Sequence, residues 1–157
     1  DASDTHGAAW LGDQDVQDTV WGRRGEFVPD AWERSSGRAL HARQRFTAVE
    51  AAASSMEREL RAIVASLREW ARRLRHQHVL WWTDSLCAYF ALRNGTRKEV
   101  ANALVKEIFS LCVRNGITLL VEWVPREWSQ KADDLSKSEE EFGCGRCIRR
   151  RLRRCSA

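Results

Sequence analysis

The sequence predicts an α/β domain, and two observations carry that prediction. Short apolar, β-favouring runs at Val79–Thr83 and Ile117–Val124 alternate with segments whose apolar residues recur at helical spacing. The 157 residues are 43% hydrophobic and 31% charged, which suits one globular domain with a core of its own.

Between Gly12 and Gln44, turn signals at Gly22, Gly25, Pro29 and Gly37 separate short apolar pieces, a pattern expected of two edge strands with a long polar connection. A helix is predicted over 54–75. Ser54 can cap it, Glu57 three residues on completes a capping box, and Met56, Leu60, Ile63, Val64, Leu67, Ala71 and Leu74 form an apolar stripe. At roughly 100° per residue, Glu59 falls on one flank of that stripe and Glu57 on the other, so spacing alone leaves both open.

Val79-Leu80-Trp81-Trp82-Thr83 reads as a strand, and Asp84 follows it as the chain passes to the helical pattern of Leu86, Ala88, Tyr89, Phe90 and Leu92. Asp84 therefore lies at the C-terminal end of a strand, where α/β sheets collect their ligands. Helices are expected over 85–93 and 98–114. Ile117–Val124 is a second strand, rich in β-branched residues and stopped by Pro125. After a polar turn, Ala132-Asp133-Asp134-Leu135-Ser136 fits a further helix over 129–137, where an acid near the N-terminus can cap or meet a cation.

Four acids on different local backgrounds stand out: Asp1, Glu59, Asp84 and Asp133. Carboxylates gathered from distant segments are what holding divalent cations over a phosphodiester requires. Each acid also has a structural alternative. Asp84 can cap its helix, Glu59 can be a solvated helix residue with Glu57 as its rival, and Asp133 competes with Asp134.

Asp1-Ala2-Ser3 with Gly7-Ala8-Ala9-Trp10, Ser54-Ser55 leading to Glu59-Leu60 and Ala62-Ile63, Thr83-Asp84-Ser85, and Val124-Pro125 leading to Ala132-Asp133 and Leu135-Ser136 together resemble a ribonuclease H domain. The version most similar is the one attached to the reverse transcriptases of DIRS and gypsy-like retroelements. The resemblance covers residues 1–137 and leaves 138–157 as a basic Cys- and Arg-rich tail or linker.

That resemblance implies an RNase H-like mixed five-stranded sheet with helices on both faces. It also implies an endonuclease cutting the RNA strand of RNA–DNA hybrids with two Mg²⁺ ions, for which Mn²⁺ can substitute. Asp1, Glu59, Asp84 and Asp133 would be both the catalytic residues and the metal ligands, and a reverse transcriptase domain would lie upstream. The first acid of such folds sits inside a central strand, whereas this chain opens at Asp1 and lacks an initiator Met. The expectation is an excerpt whose upstream half-strand is missing, and which gains stability and activity when extended. Departures include Arg126 and Ser129, where retroelement relatives often carry Gly and Asn, and the lack of any His between Asp84 and Asp133.

Charge is concentrated at one end. Residues 144–157 hold six arginines and no acid, so the nominal net charge of +4 comes from the tail. Such a cluster can neutralise phosphates or simply be solvated. Arg61, Arg68, Arg72, Arg73 and Arg75 lie off the apolar stripe of the 54–75 helix, either following phosphates or forming a solvated face on which Glu69 pairs with Arg73. Of the eight tryptophans, Trp81, Trp82 and Trp123 are expected to pack in the core, and Trp128 is a candidate for stacking on a base.

Cys144 and Cys147 have zinc-ligand spacing with Cys155 following, but no partner pair completes a site. Cys87 and Cys112 are expected to be buried, and His76 and His78 to be surface residues. No apolar run is long enough to span a bilayer, and no signal peptide or repeat is evident, so an intracellular protein without a membrane partner is expected. Two other functions compete with the hybrid nuclease: DNA strand transfer of the integrase or transposase type, and a catalytically inactive nucleic-acid-binding module.

Overall fold

The computed structural model describes residues 2–11 and 40–126. The chain forms two compact units, one of Asp1–Ala9 with His41–Lys137 and the other of Trp10–Leu40 with Ser138–Ala157. The described elements are β1 (His6–Leu11), β2 (Leu40–Arg45), α1 (Ala48–Ala51), α2 (Ser55–Trp70), β3 (His78–Thr83), α3 (Leu86–Asn94), α4 (Glu99–Asn115) and β4 (Thr118–Trp123). The expected 129–137 helix lies outside the described residues, as does most of the connection before β2.

Two strand pairs form, β1 with β2 and β3 with β4. The Phe46 N–H just past β2 donates to the Thr5 carbonyl just before β1 at 2.8 Å, so the first pair is antiparallel. The second is parallel, with His78 opposite Thr118 and each pair onward to Thr83 opposite Trp123. The mixed five-stranded sheet is therefore not what the described residues contain, which is four strands in two separate pairs. Ala2 reaches β1 through a single antiparallel bridge to Gly7, and no described strand joins the pairs. Leu80 and Leu120, cross-strand partners on one face, are both exposed.

The core lies where α2 packs along α4, around Leu60, Ile63, Leu67 and Ile108. Ser54 caps α2 by accepting the Glu57 N–H at 3.4 Å. The reciprocal capping box forms one helix earlier, where Thr47 accepts the Glu50 N–H and the Glu50 carboxylate accepts the Thr47 N–H at 2.9 Å. The predicted 54–75 helix stops at Trp70. The Trp70 carbonyl accepts from both Arg73 and Leu74, and the chain turns back so that Leu74 is buried.

α4 carries Glu99 in its first turn and Arg114 in its last, each matched to the helix dipole. It ends at Gly116, whose φ of 64° is left-handed, and whose N–H is accepted by the last-turn carbonyls.

Inside α3 the buried residues are Ala88, Ala91 and Leu92, while Leu86 and Phe90 are half exposed. Cys87 is exposed, contrary to expectation, because it lies on that outward face, whereas Cys112 is buried within α4. Trp123, expected in the core, is exposed at the last position of β4, although it shares a face with Leu119 and Val121 and lies opposite buried Thr83. His76 and His78 are exposed as expected. No described helix is long and apolar enough to cross a membrane.

Candidate active site

Asp84 is placed by the end of β3. Thr83 is buried and its carbonyl accepts the Val124 N–H at 3.0 Å, which carries the β3–β4 pairing one residue past β4. Thr83 Oγ1 then accepts the Ser85 N–H at 3.2 Å, and Ser85 accepts the Ala88 N–H at 3.3 Å as the cap of α3. Capping thus belongs to Ser85, which removes the capping alternative for Asp84. The Trp123 indole N–H donates to the Asp84 carbonyl at 3.1 Å. The Asp84 side chain is only 10% exposed, and Arg126 Nε lies 3.7 Å from its Oδ2.

Glu59 is placed by the strand-facing side of α2. Leu60, Ile63 and Leu67 face the helical core, but Ala62 and Ser66 are buried as well, and Glu59, Ala62 and Ser66 recur at spacings of three and four. Ser66 turns its hydroxyl inward to the Ala62 carbonyl at 2.8 Å, which leaves this face narrow and small. β1 lies against it at Gly7, next to Ala62.

The segment before β1 then turns tightly. Ser3 N–H donates to the His6 carbonyl at 2.8 Å, and Arg58 ties Asp4 to the start of α2 with a 2.9 Å ion pair while donating to the Ala51 and Ala53 carbonyls. The result is that the Ala2 N–H donates to Glu59 Oε1 at 2.9 Å.

Glu59 is 6% exposed, whereas Glu57 is half-buried in the first turn, so the buried acid of the pair left open by spacing is Glu59. Burial pushes the Glu59 carboxyl up from its ordinary range, and the neighbouring Asp84 carboxylate pushes the same way. The positive α-amino group, then the Ala2 N–H and the Arg126 guanidinium, oppose them without cancelling the rise. Glu59 and Asp84, 25 residues apart in sequence, therefore lie within each other's field.

Asp1 and Asp133 lie outside the described residues, as do Asp134, Trp128 and Cys144, Cys147 and Cys155. Among the described residues no group of three or more His, Cys, Asp or Glu converges. The two acids that share a field suit a hard divalent cation, since both offer carboxylate oxygen and one is buried at a cost that a nearby positive charge would relieve.

The basic residues divide. Arg61 pairs with Glu50 at 3.2 Å and Arg68 with Glu107, so these two are engaged within the fold. Arg72, Arg73 and Arg75 are exposed in the turn beyond the helix, not on its face, which also takes Arg73 off the helical spacing expected to pair it with Glu69.

A family model described as "Reverse transcriptase-like" matches residues 33–139, a span that contains Glu59, Asp84 and Asp133. No curated protein and no solved structure matches the chain.

Proposed function

The chain belongs to the reverse transcriptase-like family, which is RNase H-like, and from that membership we propose that it is a metal-dependent endonuclease hydrolysing the RNA strand of RNA–DNA hybrids. Its setting on this reading is the intracellular polyprotein of a DIRS- or gypsy-like retroelement, downstream of a reverse transcriptase domain. The observation that carries the proposal is that two acids from separate elements, Glu59 on α2 and Asp84 at the end of β3, lie in a shared field with Glu59 buried.

On this reading Glu59 and Asp84, with Asp1 and Asp133, hold two Mg²⁺ ions, and Mn²⁺ can replace them. The ions supply a nucleophilic water at neutral pH and charge stabilisation for the leaving 3′ oxygen. The protein's own contribution is placement. The Ala2 N–H restrains one Glu59 oxygen, the Val124 bond to the Thr83 carbonyl and the Ser85 cap fix the backbone on either side of Asp84, and the Trp123 indole holds the Asp84 carbonyl. Trp123, 44% exposed, adds an aromatic surface beside the acids against which a sugar or base can lie.

The test is cleavage of an end-labelled RNA–DNA hybrid, with DNA duplex and RNA duplex run in parallel, with and without Mg²⁺. Cleavage confined to the RNA strand of the hybrid, dependent on Mg²⁺ and lost in Asp84→Asn with an unchanged unfolding temperature, is the expected result. Processing of DNA ends instead would assign the chain to strand transfer, and hybrid binding without cleavage would make it a binding module. Full activity in Asp84→Asn would overturn the assignment of the acids.

A further inference from the structure

Beside the two acids stands a cation that their proposed chemistry does not use. Arg126 Nε is 3.7 Å from Asp84 Oδ2, and its guanidinium also acts on the Glu59 carboxyl. The contact is longer than a hydrogen bond, so charge rather than directed geometry holds it. Exposure is lopsided across the pair, with the Arg126 side chain 72% exposed and that of Asp84 10% exposed. The arginine thus stands on the solvent side of the pair, whereas the carboxylate stays where the backbone puts it.

That backbone is fixed close by. Val124 is buried and donates to the Thr83 carbonyl, so Arg126 is two residues from an anchored point and its guanidinium cannot drift far from the acids.

A guanidinium and a divalent cation compete for the same negative charge, and each raises the energy of the other when both are close. We infer that Arg126 is a resident counter-cation of the Glu59–Asp84 pair, which a divalent ion has to displace, and that it sets the metal concentration at which the site fills. The inference rests on the nuclease reading of these two acids. It concerns regulation of their occupancy rather than the reaction itself. Displaced, the guanidinium remains at the rim of the site, where its planar fork suits a phosphate oxygen pair of the incoming strand.

Mn²⁺ binding in the absence of nucleic acid tests the inference, followed by loss of the free-ion electron paramagnetic resonance signal at low ionic strength. The proteins compared are the parent chain, Arg126→Gln, Arg126→Lys and Asp84→Asn, each checked for an unchanged unfolding temperature. Arg126→Gln is expected to bind Mn²⁺ roughly threefold to tenfold more tightly than the parent, as loss of one near charge dictates. Arg126→Lys keeps the charge and is expected to stay within about twofold of the parent. Asp84→Asn is expected to bind more weakly than any of them.

Equal affinity in the parent and Arg126→Gln, with Asp84→Asn still weakened, overturns the counter-cation role and leaves the nuclease reading intact. Equal affinity in all four proteins overturns the metal site, and with it the nuclease reading.

Discussion

Gly7 and Ala62 meet where β1 lies on α2, so closely that a Cβ on Gly7 would come within 2.7 Å of the Ala62 Cβ and 3.1 Å of the Phe46 ring. The neighbour is largely helix backbone and a β-carbon, neither of which can swing aside. Gly7→Ala is expected to destabilise the protein by about 1–3 kcal/mol, the usual range for overpacking a filled site. Urea unfolding should show a lower midpoint at unchanged slope. Ala62→Gly alone costs about 1 kcal/mol as a mid-helix glycine. In the double variant it should recover part of the Gly7→Ala loss, so the two substitutions are non-additive. Because Ala2 pairs with Gly7 and donates to Glu59, Gly7→Ala should also lower cleavage if the acids work as proposed.

Stability should depend on pH through Glu59. Its folded carboxyl titrates above the ordinary value of 4.5, so the folded state holds that proton more tightly than the unfolded chain. The stabilising contribution is complete below the unfolded value and is lost as pH rises through the folded one. Glu59→Gln keeps an acceptor for the Ala2 N–H and has no charge to bury. It should therefore unfold at a higher temperature than the parent at pH 7 and show a flatter profile from about pH 4.5 upward. Mg²⁺ should flatten the parent's profile too, and a parent profile indifferent to Mg²⁺ would argue against an ion at Glu59.

Much of this site is legible in the letters, and the illegible part has identifiable causes. The strand before Asp84 and the strand ending at Trp123 announce themselves through β-branched and aromatic runs, and three helices through their periodicity. Glu59 could not be separated from Glu57, because a stripe of large apolar residues defines the α4-facing side of α2 and says nothing of the side that meets β1. The deciding signal was smallness: Ala62 and Ser66 follow Glu59 at helical spacing and permit the approach of Gly7. Local propensity likewise says nothing of β1, whose Gly7-Ala8-Ala9 core is a strand by virtue of its packing, and only the resemblance led to a first strand at this end of the chain. In α3, alanines are buried while Leu86 and Phe90 face out, so hydrophobicity pointed to the wrong face.

Trp123 offers a two-part test of how Asp84 is held. Trp123→Phe removes the indole donor to the Asp84 carbonyl while keeping a ring, and is expected to cost about 0.5–1 kcal/mol in thermal unfolding, the low end for a hydrogen bond, given the exposure. Trp123→Ala removes the ring as well. If a base or sugar lies there, hybrid affinity should fall by about a further 1–3 kcal/mol, read by fluorescence anisotropy. Equal affinities for the Phe and Ala variants would leave the indole a purely structural part.

The exposed arginines past α2 provide a phosphate test. Replacing Arg72 and Arg73 together with Gln should leave thermal stability within about 0.5 kcal/mol, as is usual for exposed sites. If the pair tracks the hybrid backbone, the slope of log affinity against log salt should shrink by roughly one to two. An unchanged slope would make them an ordinary solvated turn.

Both rails of the parallel pair leave from one knot. His76 donates to the Asn115 carbonyl and Thr118 to the Gln77 carbonyl, and Gly116 sits so near the His76 ring that a Cβ there would come within 2.5 Å of Nδ1. From that knot each strand runs six residues, one delivering Asp84 and the other Trp123 and Arg126. Residue count along two equal tracks thus works as a ruler. A single residue inserted into either would slide its cargo about 3.3 Å past the other and flip the faces, separating acid from indole and arginine although every helix remained intact.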